Sequence, residues 1–243
     1  MRPSARYLLL VLLAASMAGL TIASAETPSI SAASDKAPAS PAARARMERS
    51  WEYGPIFNWG SGVGNRSDYK FVWAGVQLGK VLTPVIKAGR FSGQFELGGN
   101  ITPIWMAFTP PPHDEAVNYE GQTYVVPFGG GTFHGLAMTP VILRWDFAHH
   151  WGRIHPWFQA AGGLIYTFHK FPPDQLVPHG TPGATSVWNF EPQGGFGIHY
   201  FMRSGRSLDL GVNAVHISSA SLGDRNPGVN ASVQIQVGYT FWR

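Results

Sequence analysis

The chain has 243 residues, a formal net charge of +4 and no cysteine, which excludes disulfides and thiolate metal sites. Charged residues make up only 13%, well below a soluble domain, while Gly (29), Phe (15), Trp (9) and Tyr (8) are abundant. After the N-terminus no stretch is apolar for the ~18 residues that a spanning helix needs, so the composition points to a transmembrane β-barrel.

Arg2 and Arg6 form a short positive region, residues 7–15 an apolar core, and Ala23-Ser24-Ala25 a small-x-small cleavage site. Residues 1–25 therefore read as a signal peptide, and the mature chain crosses the inner membrane completely. Losing Arg2 and Arg6 leaves 16 of the 18 basic residues against 14 acidic ones. That near balance, with no basic run, argues against a nucleic-acid partner. Residues 26–50 contain no aromatic and few large aliphatic residues, and read as a disordered periplasmic lead-in. From Trp51 to Arg243 the pattern predicts one domain.

Along that domain apolar and polar residues alternate with a period of two. Strands are predicted near 53–60 and 69–79, and Phe91, Phe95, Leu97, Ile101 and Trp105 share one parity against Gln94, Glu96, Asn100 and Thr102. Further strands fall near 134–147 and 157–168. Trp188, Phe190, Phe196, Ile198 and Tyr200 oppose Asn189, Glu191, Gln193 and His199. Last comes Ala231, Val233, Ile235, Val237, Tyr239 and Phe241 against Ser232, Gln234, Gln236 and Thr240.

With the strand discussed next, these make eight, the smallest closed membrane barrel. Residues 149–153 and 203–206 read as short turns, 108–132 and 169–186 as long Gly/Pro-rich loops. Short turns on one side and long loops on the other favour an eight-stranded antiparallel transmembrane barrel over a secreted β-sandwich. In such a barrel Glu96, Arg144, Glu191 and Asp209 are expected to fill the interior as a hydrogen-bonded ion network. Trp105, Trp145, Trp157 and Trp188 are expected at the membrane interface.

The seventh strand carries the chemistry. Leu208, Leu210, Val212 and Ala214 alternate with Asp209, Gly211 and Asn213, and the apolar parity continues onto His216 and Ser218. A base and a hydroxyl, two residues apart on one face, stand about 6.5 Å apart, within side-chain reach of each other. They sit among side chains that face lipid, which suggests that lipid is the substrate. His149, His150 and His155 cluster near a turn but meet no metal-spacing rule, so no metal site is assigned and no cofactor is implied.

His216-Ile217-Ser218-Ser219-Ala220-Ser221-Leu222, followed by Asn226-Pro227-Gly228, resembles the active-site strand of the lipid A 3-O-deacylases, the PagL family. Residues 155–163 (HPWFQAAGG) and 188–200 (WNFEPQGGFGIHY) are also similar, so the resemblance covers about the last ninety residues. It implies an outer-membrane esterase that hydrolyses an acyl ester of lipid A through a Ser–His–Glu triad. Ser218 would be the nucleophile and His216 the base, with the N–H groups of Ser219, Ala220, Ser221 and Gly223 as oxyanion donors. Two positions depart from the family: its asparagine after the nucleophile is Ser219, and its glutamate aligns with Asn230. Asp224, in the same loop, is an alternative acid. The implied partners are lipopolysaccharide and the outer membrane of a Gram-negative bacterium; a homodimer is compatible with the fold. The other readings are a catalytically silent structural or adhesive barrel and a soluble lipid-binding β-protein.

Overall fold

The computed structural model describes residues 50–119, 121–172, 186–203, 205–220 and 230–243. The expected signal peptide and all but the last residue of the lead-in lie outside these residues. Ten strands follow in chain order: β1 (Trp51–Gly62), β2 (Lys70–Val81), β3 (Gly93–Phe108), β4 (His113–Tyr119), β5 (Gln122–Phe128), β6 (Thr132–Phe147), β7 (Ile154–Phe171), β8 (Ser186–Arg203), β9 (Arg206–His216) and β10 (Ala231–Trp242). Eight of them close an antiparallel barrel in the order β1-β10-β9-β8-β7-β6-β3-β2. The remaining pair, β4 and β5, form a separate hairpin between β3 and β6. The long Gly/Pro-rich connection expected at 108–132 thus contains a hairpin of its own.

The barrel is inverted relative to a soluble protein. On β10, Ser232, Gln234, Gln236 and Thr240 are buried inside, whereas Val233 and Ile235 are exposed outside. Leu97, Ile101, Leu143, Phe196 and Leu210 continue the exposed apolar band around the barrel. That surface is stable in hydrocarbon, and closure leaves none of the eight barrel strands with an unpaired edge. The ends are tied together as well: Trp51 and Arg243 exchange backbone hydrogen bonds of 2.6 and 2.8 Å.

Inside, the half towards the termini is polar. Arg144 donates to Glu52 at 2.8 Å and to Glu96 at 2.9 Å, and Gln77 donates to the same Glu52 carboxylate. Gln159 donates to Asn213 and Asn213 to Gln236, each at 3.0 Å. Asp209 accepts from His199 at 2.7 Å, from Ser207 and from Thr240. Glu96, Arg144 and Asp209 thus behave as anticipated; Glu191 makes no ion pair among the described residues. The other half is apolar: Phe171 packs against Trp105 and Phe133 at 5.4 and 5.6 Å, with Tyr69 and Phe71 beside it.

Two tryptophans expected at the interface are instead inside. Trp145 and Trp188 face outward, but Trp105 and Trp157 are buried to 1%. The β3–β6 register shifts between Thr102 and Trp105, at Pro103, and the extra residue turns Trp105 inward. Proline has no N–H for the ladder and belongs at such a bulge. Trp157 fits because its neighbours are Gly197 and Gly211; a Cβ on either would lie within 2.6 Å of the indole. Its ring also stacks under the Arg144 guanidinium, 5.0 Å from the ring centre.

Candidate active site

The site lies where β9 runs out. The β9–β10 ladder ends with His216 opposite Ala231, and the Ile217 N–H donates to the Asn230 carbonyl at 2.9 Å. Ser218 then exchanges two backbone bonds with Phe190 of β8, at 2.6 and 3.0 Å. Alternation holds throughout: Val215, Ile217 and Ser219 are buried inward, while His216 and Ser218 are partly exposed on the lipid-facing side. Ile217 belongs to the aromatic cluster of the interior and is 1% exposed. An apolar anchor between them therefore aims base and hydroxyl outward together.

Beyond Ser218 the chain turns sharply. Ala220 has φ +47°, a left-handed conformation uncommon outside glycine, and its N–H donates to Ser218 Oγ at 3.1 Å. This local turn helps to orient the hydroxyl, whose oxygen accepts from the backbone. An N–H directed at Oγ also stabilises negative charge developing there.

The position aligned with the family glutamate is placed differently from a triad acid. Asn230 is 2% exposed and continues the inward row of Ser232 and Gln234, whereas Ala231, opposite His216, faces outward. Both amide atoms of Asn230 are buried without a hydrogen-bond partner. Asn230 meets the end of β9 through its backbone carbonyl, which accepts from the Ile217 N–H, and not through its amide. No carboxylate pairs with His216 among the described residues. Ser219 likewise turns its hydroxyl inward, where it has no partner. Ser221, Gly223 and Asp224 lie outside the described residues.

Other clusters offer less. His150 stacks on His155 at 4.5 Å, and His155 packs against Phe201 inside the barrel. Glu52, His199 and Asp209 bring ligand-type atoms within 4.8 Å of one another, but these are spent on Arg144, Asp146, Ser207 and Thr240. That is an ion network rather than an open coordination site. Sequence reasoning missed Phe190, the β8 residue that holds Ser218 in place. Only the pairing of an aromatic on β8 with the strand end could have shown it.

The sequence profile of the lipid A 3-O-deacylase (PagL) family matches residues 47–240. The chain belongs to this family. The match spans β1 to nearly the end of β10, and so extends well beyond the last ninety residues. No curated protein matches. Among solved structures, the outer membrane enzyme PagL is 16% identical with a TM-score of 0.40, covering 79% of this chain and 98% of that one. OprG from Pseudomonas aeruginosa is 9% identical with a TM-score of 0.41, covering 80% and 95%. Neisserial surface protein A is 11% identical with a TM-score of 0.41, covering 79% and 96%. The family and the closed barrel with its apolar outer band place the PagL-family chain in the outer membrane of a Gram-negative cell.

Proposed function

We propose that this PagL-family chain is an esterase that removes the ester-linked 3-O-acyl chain of lipid A, with Ser218 as nucleophile and His216 as general base. The observation that carries the reading is the shared outward face of His216 and Ser218 at the end of β9, on a surface otherwise built for lipid. Residues 1–25 act as the export signal and 26–50 as a periplasmic lead-in. With the termini periplasmic and the longer loops outside, β9 runs outward and delivers the pair to the outer leaflet, where lipid A resides.

Ser218 attacks the ester carbonyl while His216 takes its proton; the tetrahedral oxyanion is held by backbone N–H groups after Ser218. Collapse expels the sugar 3-hydroxyl, which receives the proton from His216. Water, activated by the same imidazole, then releases the fatty acid and restores Ser218. In this scheme the Asn230 carbonyl is the group that would accept from one ring nitrogen of His216 and so present the other to Ser218. A carbonyl supplies a dipole where a carboxylate would supply a full charge, so turnover is slow unless Asp224 adds that charge.

The test is acyl-chain release from purified lipid A by the refolded, heat-modifiable barrel. His216→Ala should abolish release and keep the barrel. Asp224→Asn should lower the rate if Asp224 supplies the charge and leave it unchanged if the carbonyl acts alone. Asn230→Glu should not accelerate hydrolysis, because the new carboxylate would enter the interior; acceleration would show that residue 230 reaches the imidazole. In intact cells Ser221→Cys should react with an impermeant thiol reagent and Gly205→Cys should not. That no carboxylate pairs with His216 among the described residues favours one second reading, a silent barrel of the same family, which predicts no release from the wild type.

A further inference from the structure

The outer surface beside the site carries a cation that the hydrolytic chemistry does not use. Following the ladders away from β9, Ala214 pairs with Val233, Val233 with Ser61, and Ser61 with Lys70. All four face outward. Lys70 therefore stands three strands from the residue two places before His216, about 14 Å along the sheet.

Its ammonium is held in place. Lys70 Nζ donates to Ser61 Oγ at 2.7 Å and to the Ser67 carbonyl at 2.9 Å, and Ser61 Oγ donates to the same carbonyl at 2.9 Å. An ammonium has three protons, so one remains for a ligand, and no described carboxylate neutralises the charge. Most exposed basic side chains lie at the opposite end: Lys80 over Trp51, Arg206 over Phe241 and Arg243 over Tyr53. Between Lys70 and the site the outward residues are Ser61, Val63, Ala231 and Val233, with no charge among them.

We infer that Lys70, fixed by Ser61 and Ser67, binds a phosphate group on the sugar head group of the same glycolipid whose ester lies at Ser218. The inference rests on the proposed deacylase reading and assigns a positioning residue for its substrate. A cation on β2 and a nucleophile beyond β9 hold the head group at two points, so the sugars lie across β10 and β1, where the side chains are small or flat. A single charge-assisted contact of this kind changes affinity roughly tenfold.

The decisive experiment uses Ser218→Ala as background, so that binding is read without turnover. An acylated disaccharide, either phosphorylated or enzymatically dephosphorylated, is diluted into neutral detergent micelles and binding is followed by tryptophan fluorescence. Lys70→Gln should weaken binding of the phosphorylated form about tenfold and leave the dephosphorylated form unchanged, while Lys70→Arg restores it. In the active enzyme the same change should raise KM with kcat unchanged. Equal affinity of Lys70→Gln and its parent for the phosphorylated form overturns the inference. So does an effect that appears only when a second, uncleavable phosphorylated lipid is added, because the phosphate then belongs to a neighbour. Absence of acyl release from the wild type, with the binding difference intact, would instead count against the deacylase reading.

Discussion

The polar half of the barrel interior and the end of β9 are built from similar residue types but organised differently. The first is a charge network, with one oxygen each of Glu52 and Glu96 left unpaired, and the second has no ion pair among the described residues. In the interior, Arg144 serves Glu52 and Glu96 while Asp209 accepts from His199, Ser207 and Thr240. At the strand end, Asn230 and Ser219 bury polar atoms without partners, and Ala220 adopts a left-handed conformation. The first region holds the barrel shut. The second sets an amide with both atoms unpaired and a left-handed turn next to the proposed nucleophile, the kind of local strain that functional sites on rigid scaffolds carry.

That contrast is breakable, most strongly from the interior side. Arg144→Ala leaves Glu52 and Glu96 buried without their cation and should cost about 3–5 kcal/mol, seen as a lower urea midpoint of the heat-modifiable form. Next comes Ile217→Ala, which removes the apolar anchor between His216 and Ser218. It should cost ~2–4 kcal/mol and also slow hydrolysis, since base and nucleophile lose their common aim. If Ile217→Ala left the rate at wild type, the anchor would have no bearing on the chemistry.

Asn230→Leu should act in the opposite direction, stabilising the barrel by roughly 1 kcal/mol, because two buried unpaired groups disappear. It should leave hydrolysis almost unchanged, since the backbone carbonyl proposed to orient His216 remains. A large loss of rate would place the Asn230 amide in the mechanism. The smallest effect is expected of Ala220→Gly. Relief of the left-handed strain is worth up to about 1 kcal/mol in unfolding experiments, less the extra chain entropy of glycine.

Much of this architecture was legible because the period of two survives in nearly every barrel strand. Eight strands, the inward placement of Glu96, Arg144 and Asp209, and the outward parity of His216 and Ser218 all follow from it. What was not legible has local causes. Pro103 inserts a bulge that reverses the parity of Trp105, and counting by twos cannot see it. Trp157 goes inside because Gly197 and Gly211 clear a space on neighbouring strands, a relation that needs the register. Alternation within β4 and β5 is hidden by their short length and by the Pro and Gly residues around them. Asn230 shows the limit most clearly: alignment by residue count ignores which face of the sheet a position occupies. The inward row of β10 takes its side chain away from His216.

The central claim is that a serine on the lipid-facing end of β9 cleaves an acyl ester. Fatty-acid release from purified lipid A by the refolded wild type and by Ser218→Ala, with both shown to be heat-modifiable barrels, tests it most directly. The account predicts release of a single ester-linked chain by the wild type and a loss of at least about 10⁴-fold in Ser218→Ala, comparable to removing a triad serine elsewhere. Equal release by the two proteins, or none by a folded wild type, would contradict it.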